Sequence, residues 1–171
     1  VHDTIERSWQ HLNFFQHQCF ITAKVPRIKT NTGQVETVAV PWARAGSGFT
    51  LLFEAYAMLL IENEMPVKKA SGILNVTPHR VWRVFKYWIG IAVDRDIQNK
   101  VCNIGIDETS KKKGHDYVTV AVDLDQRRVI YVTPGKDSKT IDRLRLHLGE
   151  KGTKKEQIKN VSIDMSPAFI S

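Results

Sequence analysis

The sequence predicts a mixed α/β chain in three segments: a small N-terminal β-hairpin module (1–45), three helices (46–95) and a β-β-β-α-β unit (96–171). Three observations carry this expectation. CFITAKVPRIK (19–29) alternates with period two, as a half-buried strand does. FTLLFEAYAMLLI (49–61) and HRVWRVFKYWI (79–89) instead place apolar residues at helical spacing. After about residue 100 the chain turns to β-branched runs, VCNIGID, YVTVAVDL, RRVIYVTP and NVSID, with one helical stretch, SKTIDRLRLHLGE, among them.

Composition narrows the functional class. The chain has 171 residues, a net charge of +7 and a pI near 9.5. An excess of Lys and Arg favours an anionic partner, and DNA, RNA or an anionic membrane surface would all satisfy it. Two distant cysteines, Cys19 and Cys102, make no disulfide framework, which fits a reducing cytoplasm or nucleoid. The apolar stretch 49–61 is short for a membrane span and carries Glu54, so it reads as a buried helix rather than an anchor. No signal-peptide pattern opens the chain, and its first residue is Val rather than Met, as in a trimmed start.

In the first segment, Cys19, Ile21, Ala23 and Val25 share one face of the alternating strand. NTGQ (31–34) is a turn signal, and VETVAVPW (35–42) can return as its partner. In the second segment, GSG (46–48) and Thr50 start a helix that runs to about Asn63. Met65-Pro66 interrupts it, and VKKASGIL (67–74) forms a short second helix. At NVTP (75–78), Thr77 suits an N-cap and Pro78 a first helical residue, opening a third helix with Val81, Phe85 and Trp88 on one face. Two short helices joined by a tight turn match a helix-turn-helix with a recognition helix at 78–89. His79, Arg80, Arg83 and Lys86 would then contact DNA. The same pattern also fits an ordinary helical hairpin with a solvated basic face.

The third segment carries the candidate chemistry. Asp107 and Asp164 each close a short apolar run, in VCNIGIDE (101–108) and VSIDMSPAF (161–169). A strand-end carboxylate is costly to bury unless it pairs, accepts hydrogen bonds or binds a metal. The order β-β-β-α-β is that of the first half of a ribonuclease H-like fold, in which the first and fourth strands are parallel neighbours. Asp107 and Asp164 would then lie side by side, where their mutual repulsion calls for a cation. Magnesium, an oxygen-seeking ion, suits such a pair. The alternative is that each is an ordinary strand-end or turn residue. Glu108 would face away from Asp107, Asp123 and Asp125 end the second strand with Asp125 suited to a turn, and all three read as solvated rather than catalytic. KKKGH (111–115) either steers phosphate or forms a solvated loop. His11, His17 and Cys19 do not complete a tetrahedral metal set, and the four tryptophans read as packing residues.

Taken together, IGIDETSKKKGHDYVTVAVDL (104–124), VSIDMSPAF (161–169), RSWQHLNFFQHQCF (7–20) and VPWARAGSGFTLLFEAY (40–56) resemble the ISL-three family of bacterial insertion-sequence transposases. The resemblance covers nearly the whole chain. It implies an N-terminal zinc-binding segment, a helix-turn-helix and a DDE-type ribonuclease H-like catalytic domain using magnesium or manganese. Asp107 and Asp164 match the first two catalytic, metal-binding residues, and the third acidic residue would lie beyond Ser171. The implied partners are the element's terminal repeats and target DNA, with no membrane, in the bacterial cytoplasm at the nucleoid. The family's usual ligand pair near PRIKTNTGQ is replaced by Thr30 and Gly33, which speaks against zinc here. A half-sheet of this kind would leave apolar surface and a strand edge uncovered, calling for the rest of the chain, a partner or a second copy as a homo-oligomer. The leading expectation is a transposase truncated before its third acidic residue, whose active site is incomplete in this chain. The alternatives are a non-catalytic DNA-binding protein derived from one and, more remotely, an RNA-directed domain.

Overall fold

The computed structural model describes residues 1–112, 116–135 and 138–163. The chain forms two compact units, Val1–Asp94 and a second that begins at Arg95. It is a mixed α/β protein with two sheets and four α-helices among the described residues.

The first unit opens with a long antiparallel hairpin, β1 (Asp3–Phe14) and β2 (His17–Lys29), to which β3 (Val35–Thr37) adds a short edge. This departs from the expected pairing of 19–29 with 35–42. Only Val35–Thr37 pairs there, opposite Lys29 through Arg27; the Val38 amide donates once more, to the Pro26 carbonyl at 3.0 Å, and the chain then leaves the ladder for Trp42 to pack edge-on against Trp9. The long partner is the preceding segment, and the turn falls at Phe15-Gln16, with Phe15 at φ 53. Trp9, Val25 and Ala43 are the buried centre of this sheet, and Cys19, Ile21 and Ala23 point to the same side as Val25.

Three helices complete the unit: α1 (Leu51–Glu62), α2 (Val67–Ile73) and α3 (Pro78–Arg95). Thr50 caps α1, its Oγ1 accepting from the Phe53 amide at 3.2 Å. Asn75 turns the chain between α2 and α3 at φ 52, a conformation that asparagine tolerates better than most residues. Helix α3 runs past the expected end near Ile89, because Gly90 alone does not stop a helix as a proline would. Phe49, Phe53, Ala57, Leu74, Val81 and Val84 form the common helical core. Two backbone bonds tie the sheet to these helices: the Gln10 amide donates to the Gly48 carbonyl at 2.9 Å, and the Thr50 amide to the Gln10 carbonyl at 3.0 Å.

The second unit contains β4 (Asn103–Lys112), β5 (Asp116–Asp123), β6 (Arg128–Pro134), α4 (Ser138–Glu150) and β7 (Asn160–Ile163). Strand order across the sheet is β6-β5-β4-β7. The first two pairings are antiparallel and β4–β7 is parallel, as a return through a crossover helix requires. Ile104, Ile106, Ala121 and Ile130 pack against Leu144 and Leu148 of α4. The opposite sheet face carries Asp107, Val120 and Val132, and Val132 is exposed.

The segment entering this unit is pinned by Gln98, whose Nε2 donates to the Ile130 carbonyl and to Asp96 Oδ2, both at 3.0 Å. Asp96 also accepts from Arg128 Nη1 at 2.8 Å. The Gln98 and Arg128 hydrogen bonds hold the Asp96 carboxyl below its ordinary pKa, outweighing burial, which acts in the other direction. Its stabilising contribution is therefore complete above the ordinary carboxylate pKa and is lost as pH falls through the lower folded value. Asp96→Asn is expected to cost about 0.2–1 kcal/mol at neutral pH, the range of a solvent-accessible ion pair, and to flatten the acid limb of stability. Calorimetric unfolding from neutral to acidic pH tests this, and an acid limb as steep as that of the parent chain would exclude the role.

Among the described residues, no helix is long and apolar enough to cross a membrane.

Candidate functional site

Two features stand out, one in each unit. In the first unit the basic residues of α3 do not behave alike. His79, Arg83 and Lys86 are exposed along the helix. Arg80 is half-buried, its guanidinium lying 4.2 Å from the centre of the Phe49 ring. Burial and then the nearby Arg83 charge lower its pKa from the usual arginine value. Of the four residues expected to contact DNA, Arg80 is thus turned back against its own fold. The loop beneath it, residues 44–48, is held by Glu54, which is fully buried in α1. Glu54 accepts from Arg44 Nε at 2.9 Å, Ser47 Oγ at 2.6 Å and Trp88 Nε1 at 2.8 Å. Ser47 Oγ in turn accepts from the Phe49 amide at 3.0 Å, and the Arg44 guanidinium lies 3.8 Å from the Tyr87 ring centre. One buried carboxylate therefore joins the loop, α1 and α3.

In the second unit, Asp107 lies in the middle of β4 and not at a strand end as expected, because pairing with β5 carries the strand on to Lys112; Asp107 is exposed. Its Oδ1 accepts from the Glu108 amide at 2.8 Å, and none of the described residues forms an ion pair with it. Alternation along β4 sends Ile104, Ile106 and Glu108 toward α4 and Asp107 to the other face, as expected for Glu108. The parallel β4–β7 register pairs Ile104 with Val161 and Ile106 with Ile163. Its last described step thus joins the residues that immediately precede the two aspartates. Asp164 itself lies outside the described residues, as do Lys113, Gly114 and His115 of the KKKGH motif.

Asp123 is a correction. It was expected to be solvated, yet it is buried: its Oδ1 accepts from the Asp125 and Gln126 amides at 3.0 and 3.1 Å and closes the β5–β6 turn, while its Oδ2 is buried with no hydrogen-bond partner among the described residues. Asp125 is solvated as expected and accepts from Asn103 Nδ2 at 2.8 Å. In the N-terminal sheet, His11 lies opposite Cys19 but shares a 2.8 Å hydrogen bond with Thr50 Oγ1. Among the described residues, no three His, Cys, Asp or Glu side chains cluster to hold a metal. Trp9 and Trp88 are packing residues, and Trp42 sets its ring edge-on to Trp9, whereas Trp82 is 45% exposed.

The Glu54 hub is the residue that pattern reading passes over. Its signal was a lone acid inside an apolar helix, which read only as a mark against a membrane span. Val84 was missed as well, since the spacing Val81–Phe85–Trp88 steps over it.

Comparison with known proteins adds the following. Residues 38–89 match the family model "Helix-turn-helix domain of transposase family ISL3", and residues 104–171 match the "Transposase" model of the DDE type in the same family. The chain is 31% identical over 163 residues to the "Transposase for insertion sequence element IS1557" of Mycobacterium tuberculosis, covering 92% of this chain and 35% of that protein. It is 26% identical over 173 residues to the "Transposase for insertion sequence element IS1001" of Bordetella parapertussis, covering 99% of this chain and 41% of that protein. The chain thus spans about a third to two-fifths of the length of the curated relatives it matches.

Proposed function

The chain belongs to the ISL3 family of transposases, and from that premise we propose that it binds the ends of an insertion sequence and supplies the first two carboxylates of a DDE active site. In this reading residues 46–95 bind DNA, with His79, Arg80, Arg83 and Lys86 of α3 at the interface. Residues 1–45 brace them, and residues 96–171 form the first half of a ribonuclease H-like catalytic domain.

The β4–β7 register is the observation that carries the catalytic part. Two strands that are far apart in sequence run parallel and adjacent, with Ile106 opposite Ile163, one residue before each aspartate. Asp107 suits a hard divalent cation in its chemistry: it is an exposed carboxylate with one oxygen engaged only by a backbone amide. Asp107 and Asp164 would hold magnesium or manganese. When bound, such an ion supplies Lewis acidity and an activated oxygen nucleophile for phosphodiester chemistry. The protein's own contribution is orientation, by a sheet whose other face is packed on α4 and which does not shift as charge develops. A third acidic residue would complete the set of a DDE site.

Binding tests the DNA part directly. The chain is expected to enrich a discrete duplex sequence from a random pool, with affinity falling as salt rises. A pool that returns without enrichment would count against residues 46–95 as a sequence reader.

A further inference from the structure

Arg80 and Arg83 border a small polar cavity of about 170 Å³ whose wall is completed by Arg44, Gly46, Ser47, Gly48, Phe49 and Val84. No carboxylate lines it. Among the described residues neither Arg80 nor Arg83 forms an ion pair. Arg44 is neutralised by Glu54 beneath the loop, so Arg80 and Arg83 leave the cavity positive. The two charges line one small cavity and disfavour one another; burial first, and the Arg83 charge after it, lower the pKa of Arg80. An anion between them would relieve that repulsion.

The wall is also preformed. Arg44 and Ser47 are both bonded to buried Glu54, and Ser47 Oγ holds the Phe49 amide. Gly48 lies against Arg80, so that a β-carbon there would come 3.6 Å from Nη2. Arg80, stacked on Phe49, is fixed in place before any ligand arrives. A side chain laid back in this way does not extend toward base edges, which lie deep in a groove. It is suited instead to a ligand that approaches the protein surface.

We infer that this cavity is a phosphate clamp: one phosphodiester group of a DNA backbone is held between Arg80 and Arg83 over the 44–48 loop. The inference rests on the DNA-binding reading above and sharpens it. Arg80 and Arg83 set the register of the helix on the duplex, and base discrimination is left to other exposed residues of α3, among them His79 and Lys86. Contacts of this kind add affinity without sequence preference.

Binding is measured on two unrelated duplexes across a salt series, for the parent chain, Arg83→Gln, Arg80→Ala and the double variant. Arg83 is exposed, so its variant keeps the fold; Arg80→Lys restores the charge at the second position. Each single loss is expected to weaken binding by the same factor on both duplexes. It is also expected to make the slope of log affinity against log salt shallower by about one. Arg80→Lys should recover most of the slope. Independently, pyrophosphate should raise the melting temperature of the parent chain and not of the double variant. Full affinity in the double variant on both duplexes would overturn the clamp while leaving DNA binding intact. Loss confined to one duplex with an unchanged salt slope would also overturn it, making these arginines base readers. A parent chain that binds no duplex yet responds to pyrophosphate through these arginines would uphold the anion site and overturn the DNA reading.

Discussion

Asp107→Ala, in a chain extended to the length of its relatives, is expected to reduce metal-dependent strand cleavage to background while end binding stays within about twofold. A metal-held nucleophile and leaving group lower a barrier by several kcal/mol, and about 1.4 kcal/mol is a factor of ten. The expected loss is therefore at least about a thousandfold. Binding is spared because Asp107 belongs to the second compact unit and α3 to the first. Asp107 is also exposed, so its removal leaves no cavity and no stranded buried charge. The assay is nicking of end-containing DNA with magnesium or manganese, run beside a binding titration. Cleavage retained by Asp107→Ala would sink its assignment to the active site. An extended chain without substitutions that binds the ends and never nicks them would favour a non-catalytic DNA-binding protein derived from a transposase.

Glu54→Ala is expected to destabilise the first unit by about 3–5 kcal/mol, the cost of leaving a buried charge network without its centre. Arg44, Ser47 and Trp88 all donate to this carboxylate, and Arg44 would keep its charge with no partner. Glu54→Gln keeps the shape and one acceptor and is expected to cost less, about 1–3 kcal/mol. All four tryptophans lie before residue 95, so urea unfolding followed by tryptophan fluorescence reports this unit alone. A loss below about 1 kcal/mol in Glu54→Ala would mean that the network is incidental. Because the 44–48 loop hangs on Glu54, either substitution should also weaken DNA binding, unlike Asp107→Ala.

Local signals made much of this chain legible. Thr50 and the Met65-Pro66 break set the limits of α1, and the NVTP turn set the start of α3. Each acts within a few residues, through a cap or a missing donor. The order of strands and helix after residue 100 was readable for the same reason, since β-branched alternation and helical spacing are local properties. Isolated features misled where the deciding partner lay far away. VETVAVPW alternates like a strand, but the ladder ends after Thr37 and Trp42 packs edge-on against the distant Trp9. Asp123 reads as a solvated strand-end acid, but the fold buries it, with Oδ1 on its own turn amides.

The sequence by itself determined where the helices begin, the order of strands and helix after residue 100, a positive net charge that favours an anionic partner, and which carboxylates close the apolar runs at 107 and 164. These follow from periodicity, capping and charge, which need no distant contact. Tertiary structure alone decided that Glu54 is a hub and not a flaw, that β1 and not 35–42 is the long partner of β2, and that Arg80 lies back over Phe49 while Arg83 stays exposed. Each of those depends on residues many positions apart meeting in space, where burial removes water and leaves a charge only the partners that the fold provides.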